Sequence, residues 1–154
     1  WYGLRLFSVD GTQFKTHDTQ ALAEHLHDVA FGPSSTGEVN YAKKLAMSVP
    51  ADSLTIFDRC YLSAELMLNW QRQHGSSHWM TPVKSNTKYE VVEQLDKEGR
   101  DFIVEMKVSG HARKQDPSLP EKWRARLVLY PEKTQPNHIK GVLTSLADKQ
   151  YETL

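Results

Sequence analysis

Apolar runs and helically spaced apolar positions alternate along the first half of the chain. Residues 4–9 and residues 53–57 are short apolar runs that predict two strands. Between them, apolar residues at helical spacing predict an amphipathic helix over residues 38–48, and Thr19 is placed to cap a shorter helix before it. A third helix is predicted to begin at Ser63, a favoured N-cap residue. This alternation of strands and helices predicts an α/β fold.

The second half of the chain is richer in strand patterns. Residues 89–95 and 102–108 flank Lys97-Glu98-Gly99, which predicts a β-hairpin. The polar segment from Gly110 to Lys122 contains two prolines and is predicted to be a loop. Further strands are predicted over residues 78–83, 123–130 and 139–146. The change of pattern near residue 76 predicts a β-rich unit that follows, or is inserted into, an α/β core.

Composition narrows the class of protein. The chain has 154 residues, of which 39% are hydrophobic and 25% charged, as expected for one globular domain. No apolar run approaches the roughly 18 to 20 residues of a membrane span. The single cysteine, Cys60, excludes an intramolecular disulfide and favours a reducing, cytosolic setting. Because the sequence begins at Trp1, we expect it to be a fragment of a longer protein.

Two aspartates follow the two predicted strands of the first half. Asp10 comes after Phe7-Ser8-Val9, and Asp58 comes after Thr55-Ile56-Phe57. If the strands are neighbours, both carboxylates emerge at the same sheet edge, where hard oxygen ligands suit Mg²⁺. Two such ions can activate the attacking oxygen and stabilise the leaving oxygen of a phosphodiester. The alternative interpretation is that each aspartate only forms or caps the turn after its strand.

A set of short motifs gives the chain a resemblance to bacterial insertion-sequence transposases, specifically to the insertion-sequence-four group of DDE (Asp-Asp-Glu) enzymes. The motifs occur in the family's order and together cover nearly the whole chain. They are the runs from Leu6 to Phe14, Ala30 to Gly32, Leu54 to Ser63, His78 to Val83, Ala112 to Lys114 and Leu143 to Asp148. The resemblance implies an α/β fold with an incomplete ribonuclease-H-like core and a β-rich insertion.

The resemblance also implies a function and a division of the chain. It makes Asp10 and Asp58 the first two catalytic acids, which hold Mg²⁺, or Mn²⁺ as a substitute, for phosphodiester hydrolysis and strand transfer. Residues 1–76 would then be the core portion, 77–148 the insertion, and 149–154 the start of the return to the core. The implied partners are double-stranded DNA at transposon ends and a second transposase subunit, in the bacterial cytoplasm with the nucleoid and without a membrane.

Departures from the family pattern lower the expected activity. The family's third acid lies in a Tyr-Arg-Glu-Lys signature, which does not occur before Leu154. The stretch between Asp10 and Ala30-Phe31-Gly32 is shorter than in the family, and residues 138–143 lack a tryptophan that some relatives carry. We therefore expect a truncated chain that is weakly active or inactive. The alternatives are a non-catalytic remnant that binds DNA or a transposase subunit, and an α+β domain with no retained activity.

One segment is locally basic although the net charge of the whole chain is zero. Five basic residues between positions 111 and 126 face only two acidic ones, which favours contact with DNA phosphates. A solvated charged loop is the alternative. The predicted DNA-binding residues are Arg113, Lys114, Lys122, Arg124 and Arg126.

Four apolar or reactive side chains have structural interpretations. We expect Cys60 to be a small buried residue next to Asp58 rather than a nucleophile. Trp70 and Trp79 are expected in the core, whereas Trp123, between two basic residues, is the tryptophan to consider for DNA contact.

Overall fold

The computed structural model describes residues 3–9, 11, 28, 30, 37–73 and 75–146. In chain order the elements are β1 (Arg5–Val9), α1 (Glu38–Leu45), a 3-10 turn (Ala46–Ser48), β2 (Ser53–Phe57), a second 3-10 turn (Arg59–Tyr61), α2 (Ala64–Gln73), β3 (Ser77–Pro82), β4 (Glu90–Gln94), β5 (Asp101–Lys107), α3 (Gly110–Gln115), β6 (Lys122–Pro131) and β7 (Ile139–Thr144).

All of the described strands belong to one seven-stranded sheet in the order β1-β2-β3-β7-β6-β5-β4. The first three are parallel, and the remaining pairings are antiparallel. In the parallel part, Val9 lies opposite Phe57, so β1 and β2 end at the same edge of the sheet. Strand β3 pairs with β2 on one side and with β7 on the other, and it therefore joins the two parts.

Helices α1 and α2 pack on one face of the sheet and form the main core with it. The apolar stripe of α2, made by Leu66, Met67 and Trp70, is almost fully buried. The ring of Trp70 meets Phe57 edge-on, with centroids 4.8 Å apart, and its indole N–H donates to Thr55 Oγ1 at 3.1 Å. The core continues under the antiparallel strands, where Trp79 packs against Trp123 with ring centroids 5.7 Å apart.

The opposite face of the parallel strands has a smaller apolar cluster. Leu4, Leu54 and Leu146 are buried there, and Met80 packs against them. Further along the same strands Leu6 and Ile56 are exposed. In this part of the sheet, the face that packs against the helices is therefore more buried than the opposite face.

Several elements confirm the predictions from the sequence. Strands β1 and β2 match residues 4–9 and 53–57, and the helix predicted over residues 38–48 is α1 together with the 3-10 turn that follows it. Ser63 caps α2, because its Oγ accepts from the Leu66 N–H at 3.2 Å. The helix predicted after Thr19 lies outside the described residues.

The loop predicted from Gly110 to Lys122 is wrong in its first half, which forms α3. The Ser109 hydroxyl accepts a hydrogen bond from the Ala112 N–H at 3.1 Å and so caps this short helix. The two prolines that argued for a loop come only after the helix has ended. The described fold is thus a mixed α/β sheet with few helices, none of which is long and apolar enough to cross a membrane.

Candidate functional site

The candidate site is the sheet edge where the parallel strands β1 and β2 end side by side. Asp58 directly follows β2 and is exposed at this edge. Asp10 follows Val9 in the sequence, but it lies outside the described residues. Val9 lies opposite Phe57, so the two strands that precede the aspartates end side by side. That the two carboxylates approach each other remains a prediction.

Asp58 caps the 3-10 turn that follows it. Its Oδ1 accepts a hydrogen bond from the Cys60 N–H at 2.9 Å. This bond is the largest cause that holds the pKa of Asp58 below its usual value, and the charges of Arg59 and Lys84 add to it. The turn-capping interpretation is therefore confirmed for Asp58. Capping also keeps the carboxylate ionised, which is the form that binds a metal ion.

A second carboxylate, that of Glu38, reaches the same region from the first turn of α1. A methyl group built on Gly11 would lie 2.5 Å from Glu38 Cδ, so this carboxylate leans against the Gly11 backbone. Its Oε2 lies 3.9 Å from Cys60 Sγ. Glu38 is not among the site residues predicted from the sequence, because in the sequence it is one polar position of an amphipathic helix. Its approach to Gly11 and Cys60 depends on the packing of α1.

Cys60 lies next to Asp58 as expected, but the expectation that it is buried is wrong, since the residue is exposed. The pKa of its thiol is raised to about 11, first by partial desolvation, then by the hydrogen bond with Asp58 and the charges of Asp58 and Glu38. At neutral pH the thiol is protonated. The interpretation that Cys60 is not a nucleophile therefore agrees with its surroundings.

Lys84 and Thr81, at the end of β3, fasten the turn that carries Asp58. The Lys84 ammonium donates to the backbone carbonyls of Cys60 and Leu62 at 3.4 Å and 3.3 Å. The Thr81 hydroxyl donates to the Asp58 carbonyl at 3.3 Å. Residues more than twenty positions away thus hold the turn. No local pattern in the sequence points to Lys84, because the contact crosses between β2 and β3.

A groove of about 1000 Å³ opens beside this turn, and we call it the Lys84 groove. Its walls are the starts of α1 and α2, the segment of residues 84–90, one end of β5 and the helix α3. Lys84 lines the groove and also donates to the Cys60 carbonyl in the Asp58 turn, so this side chain links the groove to the candidate site.

Arg126, one of the predicted DNA-binding residues, is buried in the structure. Its side chain is 5% exposed and forms a two-bond ion pair with Asp101, at 2.8 Å from Nε and 2.5 Å from Nη2. The Nη1 group also donates to the Leu146 carbonyl at 3.3 Å. In this position the guanidinium holds β6 to β5 and to the end of β7. It is not accessible to a DNA phosphate.

The other four predicted DNA-binding residues lie at the surface. Lys122 and Arg124 flank Glu105 on the next strand, at 2.7 Å and 3.2 Å. Their hydrogen bonds hold the pKa of Glu105 below its usual value, and the same contact raises the pKa of Lys122. Arg113 and Lys114 are exposed in the last turn of α3.

Trp123, between Lys122 and Arg124, points to the other face of the sheet. It is 6% exposed and packs on Trp79, so both tryptophans are core residues. Trp70 is a core residue as well, as the sequence predicted. The suggested contact of Trp123 with DNA is therefore not available in this fold.

The described residues contain no group of three or more His, Cys, Asp or Glu side chains arranged to hold a metal ion. A metal site at this edge would depend on Asp10, which is not among them. The donor chemistry of the edge still fits a hard divalent cation, because Asp58 is exposed and ionised and Glu38 brings a second carboxylate near the same turn.

Comparison with known proteins gives this edge its context. The transposase InsG for insertion sequence element IS4 of Escherichia coli (strain K12) is 29% identical to this chain over an alignment of 176 positions, gaps included. The alignment covers 96% of this chain. The putative transposase InsZ of the same organism is 25% identical over 122 residues, which cover 60% of this chain. The chain spans 39% and 41% of these two relatives, and no solved structure matches it. Residues 1–146 match the family described as transposase DDE domain, and the chain therefore belongs to that family.

Proposed function

We propose that this chain is part of the catalytic core of a DDE transposase of the insertion-sequence type. In this proposal the core is ribonuclease-H-like, and it hydrolyses and transfers phosphodiester bonds at transposon ends. The observation that carries the proposal is the parallel pairing of β1 with β2, in register up to Val9 and Phe57, directly before the two aspartates. Family membership over residues 1–146 supports it.

In the proposed mechanism Asp10 and Asp58 hold Mg²⁺, or Mn²⁺ in its place. When bound, the metal polarises the attacking oxygen and the scissile phosphate. The chain's own contribution is to keep Asp58 anionic through the Cys60 amide and to fix its turn through Lys84 and Thr81. A rigid, ionised ligand lowers the cost of assembling the site, because neither a proton nor a loop conformation must change first.

We propose that DNA is bound through the exposed basic residues Arg113, Lys114, Lys122 and Arg124. Lys122 and Arg124 face Glu105, and Lys122 also lies 3.9 Å from Glu90, so the net positive charge of this cluster comes from Arg113 and Lys114. Arg126 is left out because of its burial. Residues 1–76, 77–148 and 149–154 remain our proposed division into core, insertion and return, and a transposase dimer in the bacterial cytoplasm, associated with the nucleoid, is the proposed setting.

The chain alone is proposed to be weakly active or inactive, since two acids provide an incomplete ligand set for two metal ions. The second candidate function is a non-catalytic remnant that binds DNA or a transposase subunit. The specific observation in its favour is that Arg113 and Lys114 are exposed in the last turn of α3, a basic surface that does not depend on the metal ligands. Metal binding and DNA binding must therefore be measured separately.

The test compares Asp58→Asn with Asp52→Asn. Asp52 lies immediately before the start of the same strand, β2. Its φ is 52°, a conformation that asparagine also adopts, so Asp52→Asn is a matched control. Calorimetry measures the binding of Mn²⁺, and a nicking assay on supercoiled DNA measures any Mn²⁺-dependent cleavage. We expect Asp58→Asn to lose both and Asp52→Asn to keep both.

The outcomes separate the two candidate functions. If the unaltered chain binds no Mn²⁺, or binds it equally well after Asp58→Asn, the catalytic-core proposal is wrong. If DNA binding then persists without any metal requirement, the remnant interpretation accounts for the chain. Circular dichroism of each variant excludes unfolding as the cause of a loss.

A further inference from the structure

The lysines that line the Lys84 groove differ in their partners. Lys43 forms an ion pair with Glu65 at 2.7 Å, and Lys122 lies 2.7 Å from Glu105 and 3.9 Å from Glu90. These contacts occupy every glutamate that lines the groove. Lys84, by contrast, forms no ion pair with any described residue, and its hydrogen-bond acceptors are the neutral carbonyls of Cys60 and Leu62.

A carbonyl-bound ammonium differs physically from one in an ion pair. Two carbonyls hold Lys84 Nζ in one place, and among the described residues no carboxylate oxygen forms an ion pair with it, although its charge acts on the nearby Asp58 carboxylate. A lysine ammonium has three N–H donors, and the carbonyls accept two of them. A partly buried, prepositioned cation is a binding group for an anion, because little side-chain entropy remains to be lost when the anion arrives.

The net charge of the whole groove also favours an anionic ligand. Its lining contains five lysines and three glutamates, so the groove carries an excess of positive charge. Lys88 and Lys107 add to this excess on the two walls. Leu62, which directly follows the turn that carries Asp58, lines the groove together with Lys84, so an anionic polymer that passes the metal edge has this positively charged groove beside it.

We propose that Lys84 binds a backbone phosphate of the DNA strand that lies across the Asp58 edge, and that the Lys84 groove takes the adjoining part of that strand. This inference rests on the proposed function, because it takes DNA as the substrate. It adds a phosphate ligand that the basic segment of residues 111–126 did not include. Lys84 contacts the substrate and also positions the Asp58 turn through its two carbonyl acceptors.

The test measures the salt dependence of DNA binding in the presence of EDTA, so that no metal ion takes part. Fluorescence anisotropy with a short labelled duplex gives the slope of log K against log salt for the unaltered chain and for Lys84→Met. Loss of one phosphate contact reduces the magnitude of this slope by about 1, with a similar loss of affinity on duplexes of different sequence. Lys97→Met is the matched control, since Lys97 is exposed in the β4–β5 hairpin and does not line the groove.

A second variant, Lys84→Arg, keeps the positive charge and is expected to keep the slope, which a purely structural role of the side chain does not predict. If Lys84→Met unfolds, as judged by circular dichroism, Lys84→Gln replaces it, because glutamine retains a donor for the carbonyls without the charge. An unchanged slope in the folded, uncharged variant overturns the proposal, as does an equal change in Lys97→Met or a failure of the unaltered chain to bind DNA.

The result is independent of the test of Asp58. A reduced slope in Lys84→Met together with normal Mn²⁺ binding after Asp58→Asn means that the phosphate contact is right and the metal site wrong. The opposite pair of results means that the metal site is right and Lys84 is not a DNA ligand.

Discussion

The ion pair between Arg126 and Asp101 gives a sharp prediction, because the loss of one partner of a buried pair lowers the free energy of unfolding far more than the loss of one partner of an exposed pair. The Arg126 side chain is 5% exposed and that of Asp101 is 16% exposed, and two hydrogen bonds join them. Asp101→Asn keeps the shape of the side chain but removes the charge. It leaves a buried guanidinium without its carboxylate, which costs about 3 to 5 kcal/mol in the free energy of unfolding.

Urea unfolding measures this cost. With a slope of about 2 kcal/mol per molar urea, the midpoint is expected to fall by about 2 M in Asp101→Asn. Arg124→Met is the control on the same strand, where the side chain is 62% exposed and is expected to shift the midpoint only slightly. If Asp101→Asn shifts the midpoint no more than Arg124→Met, the Arg126 pair does not stabilise this fold as its burial indicates.

The same pair separates the two roles considered for Arg126. Replacing both partners, as in Arg126→Met with Asp101→Leu, removes the charges together and is expected to restore most of the stability that Asp101→Asn loses. Because Arg126 is inaccessible, this double variant should bind DNA with an unchanged salt slope. A slope reduced by about 1 would instead assign Arg126 to the DNA interface, as its sequence position first indicated.

Three further predictions concern the core and the candidate edge. Thr55→Val leaves the buried indole N–H of Trp70 without its acceptor and is expected to cost about 1 to 3 kcal/mol in urea unfolding, whereas a loss below about 0.5 kcal/mol would contradict this contact. Because the pKa of Cys60 is raised to about 11, its alkylation at pH 8 should be roughly 100-fold slower than that of a thiol with an ordinary pKa of 9.0. Glu38→Gln removes a negative charge near the thiol, lowers its pKa and should speed alkylation at the same pH; an unchanged or slower rate would show that Glu38 does not act on Cys60.

Local pattern predicted most of the regular elements because each depends on neighbouring residues. Short apolar runs identified β1 and β2, helical spacing of apolar residues identified α1, and the serine cap at Ser63 identified the start of α2. The missed helix α3 also has a local signal, the serine cap at Ser109, but the loop prediction rested on the polar composition and the two prolines and did not consider this serine.

The roles of the basic residues on β6 show where local pattern stops. Lys122, Arg124 and Arg126 share one face of the strand by alternation, so the sequence treats them alike. Only Arg126 is covered, because Asp101 on β5 and the Leu146 carbonyl after β7 surround it. Whether a charged side chain is a surface contact or a core ion pair depends on its neighbours across the sheet.

The sequence by itself determined the family, the pattern of strands and helices, and the two aspartates that follow β1 and β2, because motifs and periodicity are properties of consecutive residues. Only the tertiary structure decided which side chains meet at the candidate edge. Glu38 reaches Cys60 from α1, and Lys84 holds the Asp58 turn from the end of β3. These contacts join residues 22 and 24 positions apart, and they exist because the packing of helices and the parallel register bring separate elements to one edge.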